Sequence, residues 1–111
     1  MLQPITRPAL PLAAAVLLVL GVAAGAAASE AVTISDFAFA PAILTVAPGT
    51  QVTWDNKDEE PHTVVSADGG PTFKSPALDT DDKFSFTFNR PGTYKYFCSI
   101  HPHMVGTVVV K

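Results

Sequence analysis

Two hydrophobic patterns divide the chain. Residues 9–28, ALPLAAAVLLVLGVAAGAAA, form an unbroken apolar run without a charge. Past residue 30 that pattern stops. Short β-branched and aromatic runs then alternate with Pro, Gly and Asp, as half-buried strands and their turns do. The runs cover 32–39, 43–46, 51–55, 62–66, 83–88, 93–98 and 106–110. Pro48-Gly49, Asp68-Gly69-Gly70 and Pro91-Gly92 mark turns between them. Three runs alternate with period two, placing Val52 with Trp54, Phe84 with Phe86 and Phe88, and Tyr94 with Tyr96 and Cys98. About seven short strands with frequent turns predict an all-β sandwich. Residues 70–82, with Pro71 and Pro76 and mixed polarity, read as a long connection holding one irregular strand.

The apolar run has its own logic. Arg7 and the terminal amine precede it, and Ala26-Ala27-Ala28 close it, the order of a secretory signal peptide with its small-residue cleavage site. Cleavage is expected after Ala28, with Ser29-Glu30-Ala31 as a second possible site. The chain then divides into a signal segment, 1–28, and an exported domain, 29–111. Left uncleaved, a run of about 20 apolar residues is just long enough to anchor the chain in a bilayer. No Cys follows the run and no Arg-Arg pair precedes it, so neither a lipoprotein nor a twin-arginine signal is indicated. A periplasmic location is expected.

Composition narrows the function. With 48% hydrophobic and 15% charged residues, the chain is not of the disordered, highly charged kind. Its formal net charge of −3 argues against a nucleic-acid partner, which calls for a basic patch. Cys98 is the single cysteine, so no intramolecular disulfide can form. A domain this small has little stability in reserve, and a ligand bound only by the folded state would add to it.

The candidate chemistry is concentrated in Cys98-Ser99-Ile100-His101-Pro102-His103-Met104, with His62 upstream in Glu60-Pro61-His62-Thr63-Val64. A lone Cys is ordinarily a small buried hydrophobe and a lone Met a gap filler. Together, on a tight loop between two strands, they can converge. Thiolate and thioether favour copper over magnesium, calcium or manganese. Two imidazoles, a thiolate and a weak axial Met describe a blue-copper electron-transfer centre. Zinc takes His and Cys, but thioether is not among its usual ligands. Covalent haem would need C-x-x-C-H.

These residues resemble the cupredoxins, and most of all the amicyanin-type small blue copper proteins. The resemblance runs from about residue 31 to 111. It is carried by Phe37-Ala38-Phe39, Val46-Ala47-Pro48-Gly49-Thr50, Val52-Thr53-Trp54, Pro61-His62, Gly92-Thr93-Tyr94-Lys95-Tyr96 and the short C-x-x-H-x-x-M loop. It implies a Greek-key β-sandwich of about seven to eight strands. It also implies one copper ion held by His62, Cys98, His101 and Met104. Two positions depart from the family pattern. Thr63 stands where an Asn often ties the two ligand loops together, which puts the stiffness of that tie in question. His103 stands where an aromatic residue is common, and is expected to be exposed and unligated.

The expected activity is one-electron transfer through Cu(II)/Cu(I), not enzymatic turnover. The alternative is a copper carrier that delivers the ion to another exported protein. The resemblance implies redox protein partners, such as a c-type cytochrome or a periplasmic dehydrogenase, and an electron route through the edge of His101. A monomer is expected, with no membrane span once the signal is removed. Asp58-Glu59-Glu60 and Asp79, Asp81 and Asp82 read as solvated acidic clusters. A role in steering a basic partner is the functional alternative.

Overall fold

The computed structural model describes residues 2–4, 28–67 and 72–111. Among these residues eight strands are formed: β1 (Ser29–Ser35), β2 (Ala38–Ala40), β3 (Ile43–Val46), β4 (Thr50–Asn56), β5 (Val65–Ser66), β6 (Lys83–Phe88), β7 (Gly92–Phe97) and β8 (Val105–Val110). They make two four-stranded sheets, ordered β2-β1-β4-β6 and β3-β8-β7-β5. Each sheet contains one parallel pair, formed by strands that are not consecutive in sequence: β1 runs parallel to β4 at the centre of the first, and β3 parallel to β8 at the edge of the second. This is the all-β sandwich that the alternating runs predict.

Alternation sets which faces meet. Val32 and Ile34 of β1, Val52 and Trp54 of β4, and Val108 and Val110 of β8 point inward and are buried. Trp54 is the hub, stacked on Phe73 with ring centroids 5.8 Å apart and edge-on to Tyr96 at 5.3 Å. Tyr96 in turn meets Phe39 at 4.7 Å. Offset and edge-to-face contacts of this kind add to the burial of large rings. They bind the two sheets directly beneath Cys98, which continues the inward face of Tyr94 and Tyr96.

Three expectations need correction. The run 32–39 is not one strand. It breaks at Asp36 and Phe37, both with positive φ (54° and 56°), and β1 folds back on β2 with Ser35 opposite Ala38. Two consecutive left-handed residues make the tight turn whose twist suits a hairpin, usually written Asn-Gly. Asp-Phe gives no such signal. The run 62–66 is a strand only at Val65–Ser66. His62, Thr63 and Val64 are buried in succession, so the segment is enclosed on both sides rather than pleated with one wet face. In the stretch 70–82, the described residues 72–82 supply isolated bridges, Leu78 to His62 and Lys74 to Val65, in place of an irregular strand. The apolar run at 9–28, apart from Ala28, and the Asp68-Gly69-Gly70 turn lie outside the described residues. Among the described residues, no helix is long and apolar enough to cross a membrane.

Candidate metal centre

The loop between β7 and β8 is closed by its own backbone. The Cys98 N–H donates to the Met104 carbonyl at 3.0 Å, and the Met104 N–H to the His101 carbonyl at 2.9 Å. This brings Cys98 and His101 to one side of a tight turn. Cys98 and Met104 are buried, His101 is half-buried, and Pro102 and His103 face solvent. The exposure of His103 is as expected.

His62 reaches the same place from the other side. Its main chain pairs with Leu78, N–H to carbonyl at 3.1 Å and carbonyl from N–H at 2.7 Å. The preceding loop is organised by Asn56, which is fully buried. Its amide donates to the carbonyls of Glu60 and Leu78, both at 2.9 Å, and its oxygen accepts the Asp58 N–H at 2.9 Å. Every polar atom of that side chain is therefore used, as a buried amide requires.

The resulting triangle is compact. His62 Nδ1 and His101 Nδ1 are 3.2 Å apart, and Cys98 Sγ lies 3.8 Å from the first and 3.7 Å from the second. His62, Cys98 and His101 are the group of possible metal ligands found among the described residues. A point in their plane equidistant from all three atoms lies about 2.1 Å from each, which matches an imidazole bond to a metal ion and is within about 0.2 Å of a thiolate bond. The donors thus fit one ion, and their softness suits copper.

Electrostatics prepares the thiolate. Burial alone would raise the Cys98 thiol. The backbone N–H groups of Thr63 and His101 and the two imidazoles outweigh that, and bring its pKa down to about 6. A depressed acid stabilises the fold fully above its unfolded pKa, and that contribution is lost as pH falls through the folded value. Thiolate absorbance of the metal-free chain should accordingly titrate with a midpoint near pH 6. A midpoint near the ordinary thiol value would contradict this account of the hydrogen bonds.

Thr63 keeps the tie between the two ligand loops. Its N–H points at Cys98 Sγ at 3.4 Å. Its hydroxyl accepts the Ser99 N–H at 2.8 Å and meets the Ser99 hydroxyl at 2.8 Å. A Thr–Ser pair therefore does here what an amide side chain commonly does.

The acidic run is not uniformly a solvated tip. Glu59 and Glu60 are exposed, but the Asp58 side chain is only 11% exposed, and its Oδ2 is 2.7 Å from His62 Nε2. Asp58 and Asn56 are site residues that sequence reasoning missed. An acid four residues ahead of a candidate ligand is the one signal that could have raised Asp58. Phe37 is another. Its ring stands edge-on to both imidazoles, with centroids 5.3 Å from His62 and 5.1 Å from His101. Asp79, Asp81 and Asp82 are exposed, and Asp81 is paired with Lys57 at 2.8 Å.

Fold and site together define a small β-sandwich protein that gathers two imidazoles and a thiolate for a soft metal ion. The chain belongs to the cupredoxin-like family, whose domain matches residues 9–110, and it is of the amicyanin type. It is 38% identical to amicyanin-alpha of Methylorubrum extorquens over 88 residues, covering 77% of this chain and 74% of that protein. It is 39% identical to the amicyanin of Paracoccus denitrificans over 71 residues, covering 61% of this chain but only 54% of the relative. Among solved structures, a purple cupredoxin from Nitrosopumilus maritimus superposes with a TM-score of 0.69 at 36% identity, covering 74% of this chain and 99% of the other. An amicyanin variant in its Cu(I) form superposes with a TM-score of 0.71 at 33% identity, covering 75% and 82%.

Proposed function

We propose that the chain is a periplasmic electron carrier with one type 1 copper held by His62, Cys98, His101 and Met104. What carries the reading is the convergence of the His62, His101 and Cys98 donor atoms on a point at bonding distance from each. When bound, copper supplies the one-electron Cu(II)/Cu(I) couple. The chain's own part is to hold the ligands still. Asn56 fixes the His62 loop, Thr63 and Ser99 tie that loop to Cys98, and the backbone of residues 98–104 closes on itself. Ligands fixed from several sides change little between oxidation states, which favours fast transfer.

His101 is the ligand open to solvent, and Phe37 and Ile100 are large apolar residues exposed beside it. With Pro102 they form a face on which a redox protein can dock with His101 between the two centres. A c-type cytochrome or a periplasmic dehydrogenase would suit it. Glu59 and Glu60 would steer a basic partner, acting mainly on association rate. Residues 1–28 fit an export signal and 29–111 the working domain.

Copper delivery is the second reading. It is less favoured because Cys98 and His62 are fully buried and His62, the Thr63–Ser99 tie and the loop backbone are fixed by hydrogen bonds, which opposes exchange. Cycling the loaded chain between oxidation states beside a Cu(I) chelator separates the two. An electron carrier keeps its copper, and loss of the ion on each reduction overturns the reading. Met104→Leu should leave the ion bound and raise the reduction potential, because a weak donor to Cu(II) is removed. An unchanged potential would show that Met104 is not the axial ligand.

A further inference from the structure

The side chain of Asp58 lies between two features that sequence does not connect, a ligand histidine and the turn that carries Phe37. Its Oδ1 accepts the Asp36 N–H at 2.8 Å, and its Oδ2 accepts the Phe37 N–H at 3.0 Å and faces His62 Nε2 at 2.7 Å. Asp36 and Phe37 are both left-handed. That conformation is unfavourable for a bulky side chain, but it aims successive N–H groups at one spot and makes a concavity for an anion. Asp58 fills it from within the chain. The loop end is further held by Thr80, whose hydroxyl donates to the Asp58 carbonyl at 2.7 Å.

We propose that Asp58 is a positioning residue that holds ligand and cover as one unit: its carboxylate fixes the ring of His62 and, through the Asp36–Phe37 turn, sets Phe37 against His62 and His101. A carboxylate can only accept, so His62 carries its ring proton on Nε2. Its Nδ1 is left as a lone pair aimed at the metal position. Burial would raise the Asp58 carboxyl, but the Phe37 N–H, the His62 ring and the Asp36 N–H together hold it below the ordinary carboxylate range. The carboxylate also makes the imidazole a better donor, which favours Cu(II) over Cu(I) and lowers the potential. Only this last point rests on the copper reading.

The test is Asp58→Asn in the full chain, read first without metal. In the parent, imidazole 15N–1H spectra should show His62 protonated at Nε2, with cross-relaxation from the Phe37 ring to both imidazoles. An amide offers one acceptor oxygen to three N–H groups, so in Asp58→Asn both signatures should weaken together. With copper added, Cu(II) affinity should fall about 10–100-fold and the potential should rise. Phe37→Asn, which tolerates the left-handed backbone and keeps the N–H, should retain the His62 tautomer. The proposal is overturned if His62 of the metal-free parent is protonated at Nδ1, a result independent of whether any variant folds. It is equally overturned if Asp58→Asn leaves tautomer, ring contacts and potential as in the parent, or if Phe37→Asn abolishes the tautomer. Failure of the chain to bind copper at all would instead strike the electron-carrier reading and leave the metal-free result standing.

Discussion

Cys98→Ser should abolish the blue colour of the copper-loaded chain while leaving the chain folded. The colour of a type 1 centre requires a thiolate bound to Cu(II). Cys98 is the sole cysteine, so no other residue can supply one. Serine fits the space, and its oxygen can still accept the Thr63 N–H that now points at the sulfur. A hydroxyl, however, stays protonated where the Cys98 thiol, with a pKa of about 6, is ionised. Copper affinity should fall by more than the about 10–100-fold typical of losing only a ligand's hydrogen-bond partner. Visible absorption and the thermal transition of the metal-free variant check the two halves. A variant that remained intensely blue would mean that the ligand set is wrong.

Gly106→Ala should be strongly destabilising, the tightest fit for an added methyl among the described glycines. Gly106 on β8 lies opposite Tyr96 on β7, and a Cβ there would fall on the Cζ and Oη atoms of the Tyr96 ring. That ring is only 1% exposed and is wedged against Phe39, Trp54 and Phe73, so it has nowhere to go without parting the sheets. Overpacking a core costs about 1–3 kcal/mol and sometimes more, and this site belongs at or above the upper end. For a domain of this size, about 3 kcal/mol corresponds to a fall in melting temperature of about 12–24 °C. Tyr96 stands two residues before Cys98, so displacement of its strand also disturbs the loop that closes the metal site. Thermal melts of the metal-free chain check the first effect. A transition unchanged from the parent would contradict the packing described.

The metal loop is legible in sequence because its chemistry is local. Cys98, His101 and Met104 lie within seven residues, and the period-two run before them fixes the face on which Cys98 points. His62 is legible because Pro61-His62 resembles the upstream His after Pro in the cupredoxins. What holds these candidate ligands was not legible. Asn56 looks like an ordinary strand end, and the partner that fixes it against the facing segment, the Leu78 carbonyl, lies 22 residues further on. Asp58 reads as part of an exposed acidic run, and only the fold turns it inward. The hairpin at Asp36-Phe37 is hidden because its left-handed residues are not the Asn and Gly that such turns prefer. Thr63 looks weaker than Asn until Ser99 is seen beside it. In each case the missing information is a partner distant in sequence, whereas alternation and ligand spacing are properties of a single segment.

The most direct measurement of the central claim is a spectroelectrochemical titration of the copper-loaded chain. The proposed site should show one intense blue band that bleaches on uptake of one electron per protein and returns in full on reoxidation, with copper content unchanged. A chain that binds copper without that band, or whose band does not return because the ion has left, would contradict it.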